Sequence, residues 1–402
     1  MAEVISRNDN WFESCHNLCN VGGSVALAGV GNTGWTGLGA AVSDRMSAAE
    51  ALEFGCLAGW DLAKLPQHVF IPDKESVDGP SGENAGKWID TGCFAVVRQD
   101  HGVILTQGKA VGERYTIVPN EDLIDLVDKV IDGSTGGIGA EFETVGALGL
   151  GETVWMLAHY PAGDFAVGRG GVDTTKAYLL LTSTHDGSGS ICCFPTSVRA
   201  VCNNTLRLAI RSSRGSEQRY SMRHTTNVQS NLDTMRRTLG LATKTFAQFA
   251  AVAETMAARP IAPGKFVDEF IDRTTDATIA DVAVTAASLS DGSILKAIDG
   301  LTDRELRVAF ERQFLSLRDK RGKLFDDIMD RYESPRCQVP GAEGTLWAAF
   351  NAVTESVDHG VVCRYQGTER AKAETRFMSI INGKADGYKQ VALAVAQELL
   401  AV

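Results

Sequence analysis

The chain has 402 residues, of which 44% are hydrophobic and 22% charged, so it holds enough apolar material for a packed core and is not disordered. This length exceeds the size at which single cores stop growing, so we expect two structural units. The net charge of −11 argues against a protein that coats polyanions with its whole surface. A local basic groove remains compatible with it, because salt screens exposed charges beyond about 8–10 Å.

Cysteine usage and hydropathy indicate a reducing compartment. The nine cysteines include no CxxC pair, and most lie within apolar stretches, so we predict buried free thiols rather than disulfides, a zinc ribbon or a redox motif. The N-terminal residues do not resemble a signal peptide, and no run approaches the roughly 18 apolar residues that span a bilayer. We therefore expect a cytoplasmic protein with no membrane partner.

The first third of the chain combines loops with strands. Residues 1–46 are rich in Gly, Asn and Ser and predict mostly loop. Ser47 and Glu50 have the spacing of a capping box ahead of a short helix. Residues 69–118 are strand-like, and the segments 94–98 and 103–106 flank a turn in the manner of a hairpin.

The middle of the chain predicts a sheet. Asn120 is placed to cap a helix over 121–131, whose first turn carries acids that suit the helix dipole. Four segments rich in β-branched and aromatic residues predict strands of an antiparallel meander. These segments are 141–148, 153–160, 177–184 and 190–196. The apolar spacing of residues 198–210 then predicts a helix.

The last part of the chain has helical periodicity. Apolar residues recur at three- and four-residue spacing in the segments 228–258, 265–273, 303–332, 344–359 and 371–401, and prolines fall between several of them. The predicted fold class is α+β: a strand meander with packed helices over residues 1–226, followed by an α-helical region over residues 227–402.

Motifs for catalysis or cofactor binding are weak. Residues 29–34 match a glycine-rich dinucleotide-binding string, but further glycines follow where a helix should open, which favours a backbone-hugging loop. The seven histidines show no HExxH spacing, and no nucleophile elbow or phosphate-binding loop occurs. Glu355, Asp358 and His359 could bind a metal, although capping and surface solvation are favoured. We therefore predict no cofactor, no metal site and no catalytic residues.

One stretch stands out by its charge. Residues 199–237 contain eight arginines and no lysine, against only Glu217 and Asp233. The planar guanidinium suits phosphates and base edges better than the point charge of lysine does. The candidate nucleic-acid-binding residues are Arg199, Asn203, Asn204, Arg207, Arg211, Arg214, Arg219, Tyr220, Arg223 and His224. The alternative is that acids of the helical half neutralise these arginines within the fold.

Several strings together resemble a known family. These are residues 35–39, 111–120, 199–206, 223–225 and 344–359, of which the last is the most specific. They are similar to the phage/plasmid-like protein family, a domain-of-unknown-function family of phages, prophages and plasmids. The resemblance covers nearly the whole chain and implies a role in a phage or mobile element, with no catalytic residues to transfer.

The order of predicted elements adds a more remote similarity. A strand meander followed by a helix resembles the core of phage single-strand annealing proteins of the Red-beta and Erf type. Those proteins assemble into rings or filaments and bind DNA along a basic groove. This is a fold-level analogy, and fold alone does not fix function.

The leading hypothesis is a cytoplasmic recombination or replication protein of a phage or mobile element. It would bind single-stranded DNA, anneal complementary strands without ATP and form a homo-oligomeric ring or filament. Arginines would neutralise phosphates and Tyr220 would stack on a base. Two alternatives stay open: a host-takeover or virion component that docks a protein partner through its helical half, and an enzyme acting on nucleotides.

Overall fold

The protein is described here from a computed structural model. The structure describes residues 1, 4–8, 19–21, 24–31, 39–72, 86–135, 139–168, 170–199, 205–207, 210–211, 217–218, 220–224, 232–274, 303–360 and 385–401. The chain divides into two compact units whose residues alternate along the sequence. The first comprises Met1–Gly163, Ala177–Thr196 and Leu208–Phe246, and the second Asp164–Lys176, Ser197–Arg207 and Ala247–Val402. The domain boundary predicted at residue 226 stays a prediction.

The strands lie in the N-terminal part of the chain. Among the described residues they are β1 (Val4–Asn8), β2 (Asn20–Val21), β3 (Ser24–Val25), β4 (Leu27–Val30), β5 (Gly39–Val42), β6 (Leu62–Pro72), β7 (Gly86–Arg98), β8 (Val103–Ile104), β9 (Glu141–Leu148), β10 (Thr153–His159), β11 (Phe165–Val167), β12 (Asp173–Thr184), β13 (Ile191–Arg199), β14 (Thr205–Arg207), β15 (Ile210–Arg211), β16 (Glu217–Gln218) and β17 (Tyr220–Met222). The four strands predicted for the meander are confirmed as β9, β10, β12 and β13.

The helices dominate the C-terminal part. Among the described residues they are α1 (Ala48–Phe54), α2 (Asn120–Thr135), α3 (Leu232–Ala258), α4 (Pro263–Thr274), α5 (Asp303–Glu333), α6 (Leu346–His359) and α7 (Asp386–Ala401). A strand-rich region followed by helices confirms the predicted fold class. The predicted helix over 371–401 is confirmed from residue 386, and its earlier part lies outside the described residues.

The meander is the centre of the first unit. β9 pairs antiparallel with β10, which pairs antiparallel with β12. β13 is the next strand in the sheet, and β17 pairs antiparallel with it. Trp155 on β10 is fully buried and lies opposite Gly146 on β9. A side chain on Gly146 would collide with the Trp155 ring, so the glycine lets the ring pack on the sheet.

The first 46 residues contain five strands, where composition predicted mostly loop. β5 pairs antiparallel with β1 and parallel with β4, and β4 pairs antiparallel with β9. Leu27, Ala28 and Ala40 on these strands are fully buried. The prediction failed because strands of two to five residues, separated by glycine and asparagine, are too short to show periodicity. In addition, β4 pairs with β9, which lies far along the chain.

The two predicted helix starts have different outcomes. The capping box is confirmed: the Glu50 amide donates to Ser47 Oγ, and the Ser47 amide donates to Glu50 Oε2 at 2.8 Å. Helix α2 is also confirmed, but the Asn120 side chain does not cap it. Asn120 Nδ2 donates to the Leu57 carbonyl oxygen and Oδ1 lies 3.0 Å from His185 Nε2. Tertiary partners therefore hold the amide that the sequence assigned to the cap.

Helix α6 is the core of the second unit. Its residues from Leu346 to Asp358 are all buried, and Thr345 caps it by accepting a hydrogen bond from the Ala348 amide. The rings of Trp347 and Phe350 are stacked, with centroids 5.8 Å apart. Trp347 Nε1 donates to the buried Asp173 carboxylate at 2.6 Å, which satisfies the one polar atom of the indole.

Candidate nucleic-acid interface

The arginine-rich stretch begins as strands and not as a helix. Over residues 198–210, the parts that the structure describes are the end of β13, β14 and the first residue of β15. The predicted helix over 198–210 is therefore wrong. The apolar spacing of so short a segment fits either structure, and its β-branched residues Val198, Thr205 and Ile210 favour strands. Pairing with other strands decided between the two.

Tyr220 and Arg223 are positioned by the pairing of β17 with β13. In this register Ile191 lies opposite Met222 and Cys193 lies opposite Tyr220. Arg223 directly follows the strand and its side chain is exposed. Within the part of the chain that the structure describes, Arg223 has no ion-pair partner. An exposed guanidinium without a carboxylate partner is a group that an anion can reach.

His224 lies in the interior, unlike its neighbour. Its side chain is 4% exposed, and its ring stacks on Tyr115 with centroids 5.0 Å apart. Its carbonyl oxygen accepts a hydrogen bond from the Thr116 amide at 3.0 Å. Burial lowers the pKa of His224, so the ring is neutral at physiological pH. A buried neutral imidazole cannot neutralise a phosphate, so His224 supports the fold of the interface and does not form part of its surface.

The other candidate residues divide into two groups. Arg199 ends β13, Arg207 ends β14 and Arg211 lies on β15, opposite Glu217 of β16. Asn203, Asn204, Arg214 and Arg219 lie outside the described residues. Arg236 and Arg237 lie in the first turns of α3.

The alternative to an anionic partner is that acids of the helical region neutralise the arginines within the fold. Eight carboxylates on helices α4 to α7 lie within ion-pair distance of cations in their own unit. The pairs are Asp268 and Asp272 with Arg321, Glu269 and Glu398 with Arg273, Asp319 with Lys323, Asp327 with Arg331, Glu355 with Arg331 and Arg336, and Asp358 with Lys389. Because these acids have cationic partners of their own, the alternative is weakened.

Glu355 and Asp358 are buried on α6, whereas the sequence favoured capping and surface solvation. Glu355 lies 3.3 Å from Arg336 and 3.5 Å from Arg331, and Cys337 Sγ donates to it. Asp358 and Lys389 are both almost completely buried, 2.5 Å apart. Arginine and lysine hold the positions that a metal ion would need next to these carboxylates. The prediction of surface solvation failed because a helix can bury carboxylates when cations of neighbouring elements form ion pairs with them.

A second polar cluster lies in the first unit, behind α2. His185 is fully buried, and its Nε2 lies 3.0 Å from Asn120 Oδ1. Asn120 Nδ2 donates elsewhere, so Oδ1 must accept and Nε2 must carry the proton. Burial, together with the nearby His224 and Arg98, lowers the pKa of His185 to about 3. Asp186 lies in the turn after β12, where its carboxylate accepts hydrogen bonds from the Ser188 amide and from Lys109 Nζ.

Arg98 is a buried cation that the sequence did not single out. Its side chain is 1% exposed, its guanidinium lies 3.9 Å from the centroid of the Trp60 ring, and it pairs with Asp100 at 2.6 Å. The sequence shows only an arginine at the end of an apolar strand, which gave no signal of these contacts. A cation that is stacked and paired in this way orders the fold and is not open to a ligand.

Comparison with known families gives one match. A family described as a domain of unknown function, DUF932, matches residues 109–378, which is more than half of the chain. The chain belongs to the DUF932 family. No curated protein and no solved structure matches it. No helix in the described part of this DUF932 protein has the length and apolarity to cross a membrane.

The residues matched by the DUF932 family cover only some of the elements described above. It contains the meander, the arginine stretch and the buried charges of α6. Strands β6 and β7 precede residue 109 and therefore lie outside it. The match confirms that the chain carries a domain of unknown function, and it brings no activity with it. The phage or plasmid origin and the similarity to annealing proteins stay predictions.

Proposed function

We propose that this DUF932 protein binds single-stranded DNA and anneals complementary strands without ATP. It would act in the cytoplasm as a homo-oligomeric ring or filament, in the recombination or replication of a phage or mobile element. The observation that carries the proposal is the stretch of eight arginines without a lysine between residues 199 and 237. Arginine is the cation best suited to phosphate contacts.

Two features of the fold support this proposal. Arg223 is exposed and has no ion-pair partner in the described part of the chain. Eight carboxylates on helices α4 to α7 have ion-pair partners within the second unit, for example Glu398 with Arg273, Asp272 with Arg321 and Asp358 with Lys389. Positive charge concentrated in one stretch of the chain costs self-repulsion unless an anion is nearby.

The mechanism requires organisation and no covalent chemistry. Guanidinium groups neutralise phosphates and release condensed counterions, which holds one strand extended. An aromatic ring such as Tyr220 can stack on a base without reading the sequence. Bases that remain unpaired along such a strand are free to meet a complementary strand, so annealing needs neither ATP nor an active site.

The test is a fluorescence-anisotropy titration of a labelled single-stranded oligonucleotide at about 50 and about 200 mM salt, a range over which phosphate-dominated binding falls steeply. Arg223→Ala should weaken binding for every sequence and reduce the salt slope by about 1. The triple variant Arg207→Ala/Arg211→Ala/Arg223→Ala should lose most of the affinity. If binding is supported, an annealing assay with two complementary strands follows.

The matched control is Arg304→Ala, because Arg304 is an exposed arginine of α5 outside the arginine stretch. It removes the same charge and should leave the affinity almost unchanged. Absence of binding by the native protein at about 50 mM salt, where phosphate contacts are strongest, would refute the proposal. An equal loss in the control and in Arg223→Ala would refute the assignment of the site.

A further inference from the structure

Strands β6 and β7 extend as a two-stranded ribbon beyond the sheet that anchors them. We call residues 66–72 of β6 and 86–92 of β7 the arm. Within it His68 lies opposite Asp90, Val69 opposite Ile89 and Phe70 opposite Trp88. At the other end of the same strands, Val96 belongs to a buried cluster with Leu105 and Val111. The ribbon is therefore fixed at its base.

The arm exposes large apolar side chains. Trp88 is 68% exposed, Val69 54%, Ile71 45% and Ile89 40%. The Phe70 and Trp88 rings contact each other across the strands with centroids 5.2 Å apart, which orders the aromatic pair without covering it. Apolar patches of this kind on a folded chain mark interaction sites.

Both faces of the arm are apolar. Successive side chains of a strand point to opposite faces, and residues opposite each other share a face. Val69 and Ile89 therefore lie on one face, and Phe70 and Trp88 on the other. A solvated antiparallel ribbon alternates apolar and polar faces, and an isolated two-stranded hairpin is marginally stable in water. The composition of the arm fits a ribbon that is covered on both sides.

The few charged side chains of the arm indicate which kind of partner covers its two faces. The arm contains one lysine, Lys87, one aspartate, Asp90, and no arginine, so it is neutral apart from His68. A nucleic acid strand requires cations along its path and would cover a single face. A protein surface with apolar residues and few charges is the complementary partner. A second copy of the chain supplies such a surface, namely its own arm and the residues around it.

The dimensions of the arm agree with a dimer. Two strands of seven residues are about 24 Å long and about 10 Å across, so the two faces together present on the order of 500 Å². If each copy packs its arm on the other, both arms and both receiving surfaces are buried. The total is on the order of 2,000 Å², which lies in the range of stable protein interfaces.

We propose that the arm is a self-association element that packs reciprocally on a second copy of this chain. The faces make the contact, because they carry the exposed apolar side chains. On the edge formed by β6, Pro66 and Pro72 oppose the addition of a further strand. The inference rests on the homo-oligomer of the proposed function and names the element that makes its contact, and it concerns a surface other than the arginine stretch, so DNA binding and self-association can fail separately.

The test is the mass of the full chain in solution, measured by light scattering over a range of concentrations. Native protein should be a dimer or larger. Trp88→Asp and Ile71→Asp place a charge on opposite faces of the arm. Each should raise the dissociation constant of the dimer at least tenfold, which lowers the measured mass toward that of the monomer. Circular dichroism melting should show that both variants remain folded, because the replaced side chains are exposed.

The matched control is Leu150→Asp, since Leu150 is an exposed apolar residue of the same unit in a turn outside the arm. It should keep the native mass. A native monomer at tens of micromolar would overturn the inference, as would arm variants that behave like the control. A native monomer that loses oligonucleotide binding only in the arm variants would assign the arm to nucleic acid and also overturn it. Arm variants that become monomeric yet keep salt-sensitive binding would support it and separate it from the DNA-binding proposal.

Discussion

At the scale of single residues, buried charges place the strongest constraints on this fold. Asp358 and Lys389 are 0% and 1% exposed and lie 2.5 Å apart in the second unit. Taking two charges out of water is costly, and their mutual attraction offsets the cost only while both are present. The pair therefore fixes how α6 and α7 pack, since a shift of either helix would leave a buried charge without its partner.

Lys389→Met is expected to destabilise the second unit by about 3–5 kcal/mol, because it leaves the Asp358 carboxylate buried without a cation. The double variant Lys389→Met/Asp358→Leu should recover most of this loss, since it removes both charges. The measurement is urea unfolding followed by circular dichroism. A single variant as stable as the double variant would show that the pair does not constrain the packing.

The buried histidine predicts a dependence of stability on pH. His185 has a pKa lowered to about 3 by burial and by its neighbours, so it stays neutral in the folded protein. In the unfolded chain a histidine binds a proton below about pH 6.5. Stability is therefore fully present above pH 6.5 and falls as the pH is lowered toward 3. His185 alone should account for a loss of about 2 kcal/mol at pH 5.

His185→Gln tests this assignment, because glutamine does not titrate and can still donate a hydrogen bond to Asn120. We expect the variant to lose less stability than the native protein between pH 7 and pH 5 in thermal melts. Equal pH profiles for the variant and the native protein would exclude His185 as the titrating group.

At the scale of elements, the four meander strands and most of the helices follow from local pattern, whereas the short strands do not. The β9 strand occupies residues 141–148 as predicted, and α5 and α6 begin within two residues of their predicted positions. These segments are long or clearly periodic, so one structure satisfies both propensity and burial. In the segment 198–210 the two do not agree. Its apolar spacing fits a helix, but pairing with other strands makes its described residues β-strand.

The packing of β9 on β10 predicts a position where a single methyl group is not tolerated. A Cβ atom at Gly146 would lie 2.4 Å from the Trp155 ring, which is fully buried and cannot move without displacing its neighbours. Gly146→Ala should therefore destabilise the first unit by about 1–3 kcal/mol. The expected readout is a lower melting temperature by circular dichroism.

Gly112→Ala is the matched control, because nothing lies within 4 Å of the position of its added methyl group. It should melt at the native temperature or slightly above it, since alanine restricts the unfolded chain. If both variants melt alike, the strand pair is looser than the contact between Gly146 and Trp155 implies.

At the scale of the whole molecule, net charge and local charge point in opposite directions. The chain carries −11 overall, which repels polyanions at low salt, whereas the arginine stretch attracts them at short range. Screening confines both effects to about 8–10 Å at physiological salt. If the protein binds single-stranded DNA as proposed, we expect the affinity to depend on the arginine stretch, so Arg223→Ala and Arg304→Ala should differ although they change the net charge equally.

The sequence by itself determined the fold class, the strands of the meander, the positions of most helices, the absence of a recognisable catalytic motif and the concentration of arginines, because these depend on local periodicity and composition. Only the tertiary structure decided that His224 is buried while Arg223 is exposed, that Glu355 and Asp358 meet cations, that Asn120 holds His185, and that the β6–β7 arm exposes both faces. Each of these depends on which distant residues come together. Burial and charge pairing are properties of packing between elements, and a short apolar or polar segment has the same local pattern whether a partner covers it or water does.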